Sequence, residues 1–239
     1  MFHLKFGSSK KFIVFLHGWG ADHKSFLWLK DYFDEYSLLF VDFPGFGNSE
    51  EPSVEYHVSD YANELMCVLD EYEIEELLIV GHSFGGRVAI KFAFLFQNEF
   101  DRFRLCLVDS AGILPKRTLK YYLNILAYKR CKRKAVKSQK HREKLKTFGS
   151  SDYKCLSQNM KKVFVNVVNE DLSDFAKNIK CDTLLIWGEK DKDTKLYMAK
   201  KLHRLIEKSD LYILKNAGHF SFLDRQNEFL FLLDRFVKN

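Results

Sequence analysis

Short apolar runs alternate with amphipathic stretches along most of this chain, and that alternation restricts the folds open to it. The runs lie at 12–17, 37–42, 77–81, 104–109, 183–187 and 210–214, and they are rich in aliphatic and aromatic residues. Runs of this length with no polar residue at every second position read as strands buried on both faces. Between them apolar residues recur at helical spacing, as Tyr61, Leu65, Val68, Leu69 and Tyr72 do within 60–72, and a second such stretch at 86–96 follows a Gly-Gly pair. Strands separated by helices imply a parallel sheet with right-handed crossovers, so the expected class is α/β, a doubly wound and mostly parallel sheet. A run at 2–6, ahead of Gly7, predicts one antiparallel edge strand.

The alternation breaks once. Residues 112–178 hold helical patterns but no strand, which makes them an insertion into a core formed by 1–111 and 179–239. The first half, 116–146, spaces Leu119, Tyr122, Leu123 and Leu126 among lysines and predicts one or two amphipathic helices. The second half, 148–178, is less charged and predicts a helix over 163–175. Among the inserted residues Leu119, Tyr122, Leu126, Phe148, Met160 and Phe164 are the candidates to line a binding site. No fixed-period repeat is present, which excludes solenoids and propellers.

Composition narrows the class further. The 239 residues are 46% hydrophobic and 29% charged, with 3 prolines, a balance that fits a packed globular chain and excludes collagen and disorder. No apolar run approaches the roughly 18 residues of a membrane span, and the polar turn after Gly7 interrupts any signal-peptide pattern, so the expected location is cytoplasmic. The five cysteines, at 67, 106, 131, 155 and 181, form no C-x-x-C pair, which argues for reduced thiols and offers no zinc or redox motif. The formal charge of +6 is uneven: 115–148 contains 13 Lys and Arg against the single acid Glu143, while the remainder is net acidic. So local an excess suits a solvated helix face, an acidic acyl carrier protein, an anionic membrane surface or nucleic acid. The last has no accompanying binding fold or aromatic platform and is not expected.

The chemistry is concentrated at the ends of the apolar runs. Gly81-His-Ser-Phe-Gly85 follows Leu77-Leu-Ile-Val80 and opens a helical pattern, the context a nucleophile elbow needs. Glycines at 81 and 85 leave room for a sharp turn that lifts the Ser83 hydroxyl clear of the sheet. A serine needs a base to become nucleophilic, and the base needs an orienting carboxylate. Asn216-Ala-Gly-His219 lies just past the last run, and Trp187-Gly-Glu-Lys-Asp191 just past the one before it. The order Ser83, Asp191, His219 is that of the α/β-hydrolases. Asp193, two residues on from Asp191, and Asp109, at the end of an earlier run, are alternative acids.

Taken in order, His17-Gly-Trp-Gly20, Asp42-Phe-Pro-Gly-Phe-Gly-Asn-Ser49, Gly81-His-Ser-Phe-Gly-Gly86, Trp187 to Asp191 and Gly218-His219 resemble the α/β-hydrolase-fold serine hydrolases along essentially the whole chain. Within that family they are similar to carboxylesterases such as the pimeloyl-acyl-carrier-protein methyl ester esterase and to carbon-carbon bond hydrolases. The resemblance implies an oxyanion hole from the backbone N–H groups of Trp19 and Phe84, and a helical lid at the insertion, placed after the sixth strand. It also implies a small-molecule acyl substrate and neither cofactor nor metal. Serine at 83 excludes the dehalogenase and epoxide hydrolase chemistry of relatives with an aspartate nucleophile. Lys195 departs from the proline that relatives often carry after the acid.

Overall fold

A computed structural model describes residues 1–116, 119–145 and 151–239, with backbone alone at 120, 121, 151 and 152. Seven strands form one sheet: β1 (His3–Phe6), β2 (Lys11–Leu16), β3 (Ser37–Val41), β4 (Glu76–His82), β5 (Arg102–Val108), β6 (Asp182–Gly188) and β7 (Ser209–Leu214). Their order across the sheet is β1-β3-β2-β4-β5-β6-β7, and every pair is parallel except the antiparallel edge pair β1–β3. The edge strand expected at 2–6 is therefore present, as are the six other strands, but only five of these are buried: β7 is the opposite edge of the sheet, and its Tyr212 and Ile213 are exposed.

Both faces of the sheet are covered, which is why its strands read as continuous apolar runs. Val14, Leu39, Ile79, Leu105 and Leu185 pack on one side, together with α1 (Val58–Leu69), α2 (Phe84–Phe96) and residues of a helix at Leu196–Leu205. Their chain neighbours Phe15, Phe40, Val80, Cys106 and Ile186 pack on the other, against Phe26 and Leu29 of two short 3-10 turns and against Phe229, Leu233 and Val237 of the C-terminal helix. After β2 the chain steps to β3 on one side, and after β3 it crosses back to β4 on the other. Open α/β sheets bind ligands at the carboxyl ends of their strands beside such a reversal. Residue 83 follows β4 at that point.

The inserted segment contains α3 (Leu119–Ala135), α4 (Gln139–Leu145), α5 (Ser151–Cys155), α6 (Gln158–Asn169) and α7 (Ser173–Ala176). Counted along this chain it follows the fifth strand, not the sixth, because a single strand precedes the first parallel one. The helix expected over 163–175 is broken in two: Glu170 is extended, and the Asp171 carboxylate accepts from the Ser173 N–H and hydroxyl, starting a new turn. Phe148 lies outside the described residues. Met160, Val163 and Val167 of α6 are buried in the same cluster as the sheet and α2, so this helix is anchored on the core. Two buried cations on α2 reinforce the attachment, Lys91 pairing with Glu170 at 2.7 Å and Arg87 donating to the Glu170 carbonyl. The last two helices preceding the C-terminal one are α8 (Leu196–Leu205) and α9 (Ser221–Asp224), and α10 (Gln226–Lys238) closes the chain.

Candidate active site

Ser83 sits between β4 and α2 with φ 51° and ψ −109°, a conformation that costs a non-glycine residue on the order of 1–3 kcal/mol. The surrounding structure enforces it. The Ser83 N–H donates to the Val108 carbonyl, and the Ser83 carbonyl accepts from Ala111 and Arg87 N–H groups, so the turn is tied to β5, to its exit and to α2. Side chains are excluded around it: a Cβ at Gly81 would meet the Gly85 backbone, one at Gly85 the Leu16 carbonyl, and one at Gly86 the Ser110 side chain. The elbow is therefore built by three glycines, of which the pentapeptide pattern contains two.

His219 reaches the serine from the loop after β7, with its Nε2 3.0 Å from Ser83 Oγ and its Nδ1 2.9 Å from Asp191 Oδ2. The loop turns at Asn216, φ 59°, and the Gly218 N–H donates to the Asp224 carboxylate. His82, beside the nucleophile, donates Nε2–H to the His219 carbonyl at 2.7 Å. Burial and the neighbouring His219 press the His82 pKa down to about 3, so it is a neutral strut. His17 is also buried: its Nε2 accepts from the Phe43 N–H and its Nδ1 donates to the Gly18 carbonyl, with burial lowering its pKa.

Asp191 has its hydrogen-bonding capacity filled. Oδ1 accepts from the N–H groups of Asp193 and Thr194, while Oδ2 faces both His219 and the Thr194 hydroxyl, the latter at 2.6 Å. Burial works to raise its pKa, but the bonds from His219 and Thr194 outweigh that and hold the carboxyl below its ordinary value. His219 answers in kind, since burial lowers its pKa while the bond to Asp191 and that residue's charge raise it further.

The two alternative acids are placed differently. Asp193 is exposed and contributes its backbone N–H to Asp191. Asp109, fully buried at φ 43°, accepts from the Gly188 N–H at 2.7 Å and the Ser221 N–H at 3.0 Å. It thereby ties the end of β6, which leads to Asp191, to the first residue of α9, just past His219. Burial pushes its pKa up to about 7 against the pull of these donors. Thr194, absent from the sequence-based candidates, lies between the acids, its hydroxyl also 2.9 Å from the Asp109 carbonyl oxygen. No local motif marks either bracing role, because the partners are remote in sequence.

The oxyanion candidates flank the serine. Phe84 opens α2, so its N–H belongs to the first turn, where helix N–H groups have no intrahelical acceptor. The loop carrying Trp19 lies against the elbow, a Cβ on Gly18 falling 2.9 Å from His82 Nδ1 and 3.5 Å from Ser83 Cβ. The Trp19 indole packs edge-on against Phe46, Phe84 and Phe164, with centroids 4.8–5.2 Å apart, so α6 contributes Phe164 to an aromatic cluster next to the two oxyanion candidates. Asp191, Asp193 and His219 also hold ligand atoms within 4.8 Å of one another. A cation there would have to displace the His219–Asp191 hydrogen bond. A cavity of about 390 Å³ opens at the opposite end of the strands between Arg104, Asp182, Lys208 and Phe236. Arg104 there is engaged by the Phe236 and Val237 carbonyls, remote from the serine.

Known proteins are similar to this chain in sequence or in fold. The chain is 25% identical over 253 residues to the AB hydrolase superfamily protein YisY of Bacillus subtilis, covering 94% of this chain and 90% of that one. It is 22% identical over 246 residues to the 2-hydroxy-6-oxo-2,4-heptadienoate hydrolase of Pseudomonas putida, covering 94% and 88%. The solved structure of an esterase from Exiguobacterium antarcticum superposes with a TM-score of 0.76 at 23% identity, covering 100% of this chain and 95% of the other. The family model described as "Alpha/beta hydrolase family" matches residues 13–230, and the chain belongs to that family.

Proposed function

We propose that this hydrolase is a serine carboxylesterase that cleaves a small-molecule acyl ester through a covalent intermediate on Ser83. The observation that carries the reading is the continuous relay Ser83 Oγ, His219 Nε2, His219 Nδ1, Asp191 Oδ2, with contacts of 3.0 and 2.9 Å, at a strained strand-to-helix turn. Ser83 attacks the ester carbonyl while His219 takes its proton, and Asp191 orients the imidazole and stabilises its charged form. The N–H groups of Trp19 and Phe84 receive the developing oxyanion, each worth about 2.7–4 kcal/mol in transition-state stabilisation. His219 then protonates the departing alcohol, and water, deprotonated by the same imidazole, releases the acid. In this reading residues 112–178 form the lid and the protein works in the cytoplasm.

The test is intact mass after a fluorophosphonate probe, alongside turnover of p-nitrophenyl esters from acetate to decanoate. The expected result is one adduct on the wild type, none on Ser83→Ala, and turnover peaking at one chain length. A wild type that takes neither label nor ester would overturn the enzyme reading in favour of a ligand receptor on the same scaffold. The similarity to the Pseudomonas putida hydrolase supports a second reading, carbon-carbon bond cleavage by the same residues. Labelling without ester turnover, together with cleavage of a vinylogous 1,5-diketone acid, would move that reading ahead.

A further inference from the structure

We propose that the α3–α4 hairpin is a docking element for an anionic lipid surface. α3 packs against α4 through its own small seam, where Cys131 and Ala135 are buried, the Cys131 thiol meets the His141 carbonyl and Arg142 Nε donates to the Ala135 carbonyl. Leu119, Leu123 and Leu126, at positions i, i+4 and i+7, lie along one face of α3 and are 76%, 56% and 52% exposed. At about 100° per residue this row points roughly a third of a turn away from the seam with α4. Arg130, Arg133 and Lys134 continue the same face toward the end of the helix, and all three are exposed.

The charge on this face is not neutralised from within. Glu143, the one acid of the segment, accepts from Gln139, and the ion pairs of the described residues involve none of Arg130, Arg133 and Lys134. Charge by itself would suit an acidic protein equally well. The leucine row decides for lipid, because it runs into the cationic row along a single helix axis. The two rows share one face and follow each other along the helix, so a surface laid along α3 meets both: the leucines enter its apolar boundary while the cations stand against phosphates. No helix among the described residues is long and apolar enough to cross a membrane, so the attachment is peripheral. Docking does not rest on the esterase reading, and it is measured without turnover.

The experiment is co-sedimentation of full-length Ser83→Ala protein with sucrose-loaded vesicles of phosphatidylcholine alone or with 30% phosphatidylglycerol. The proposal expects at least tenfold tighter partitioning onto the anionic vesicles in 50 mM salt, largely lost in 500 mM. Arg130→Gln/Arg133→Gln/Lys134→Gln should weaken it at least fivefold. Leu123→Ser should weaken it at least threefold while the remainder stays salt-sensitive. Both variants, made also with Ser83 intact, should keep the wild-type circular dichroism and fluorophosphonate labelling. Equal partitioning onto both vesicle types, no partitioning onto either, or full binding by both folded variants would overturn the proposal. Binding of an acidic acyl carrier protein with no vesicle binding would assign the face to that partner instead.

Discussion

In the proposed esterase mechanism the ionisation of His219 decides when the site is competent, since only the neutral imidazole can take the Ser83 proton. Burial lowers its pKa, but the Asp191 hydrogen bond and charge raise it further, so the balance lies above the ordinary histidine value of about 6.5. kcat/KM should therefore fall on the acid side with an apparent pKa above that value. Asp191→Asn removes the charge and one acceptor, and it should move the acid limb down while reducing kcat on the order of 10⁴-fold. A pH–rate profile on a p-nitrophenyl ester checks both, and an acid limb unmoved in Asp191→Asn would assign the orienting charge to another carboxylate. Ser83, Asp191 and His219, whose side chains the structure brings together, were legible in the sequence because each lies within three residues of a glycine just after an apolar run. Thr194 and the bracing of Asp109 were not, because Asp109 makes its bonds to Gly188 and Ser221, 79 and 112 residues away, and nothing local distinguishes them.

At the scale of elements, the angle at which α2 leaves β4 depends on how closely it approaches the end of β5. Gly86 stands against Ser110, and a Cβ there would lie 2.1 Å from the Ser110 hydroxyl oxygen and 2.6 Å from its Cβ. Gly86→Ala should then displace the helix start that carries the Phe84 N–H, costing about 1–3 kcal/mol of stability by overpacking and slowing acylation. Ser110→Gly removes the obstructing side chain, so the double variant should recover much of both losses, a coupling that a double-mutant cycle on urea midpoints and fluorophosphonate labelling rates reads directly. Independent, additive effects would mean that the contact is not what sets the helix. The central strands were the most legible elements, since burial on both faces gives them unbroken apolar runs. The inserted helices were harder to bound, because the break at Glu170 is made by a polar turn at Asp171 within a segment whose apolar spacing continues through Phe175.

Over the whole molecule, buried groups of opposite sign make stability depend on pH in opposing directions. His82 has a folded pKa of about 3 against about 6.5 unfolded, and His17 is lowered too. Between those values the unfolded chain binds more protons, so this contribution is complete above about pH 6.5 and is lost as pH falls. Asp109 has the reverse sign, since its folded pKa is about 7 against about 3.9 unfolded. Here the native state binds the extra proton, and stability is lost as pH rises from about 4 to 7. In the wild type the two slopes oppose each other across the interval from pH 4 to 6.5. Asp109→Asn, which also leaves the Gly188 or Ser221 N–H without its acceptor, should lower the urea midpoint throughout and remove the descending contribution. Its midpoint should therefore climb more steeply with pH across that interval than the wild-type midpoint does. Parallel curves for the two proteins would mean that Asp109 is ionised throughout, with the N–H groups of Gly188 and Ser221 holding it charged against its burial.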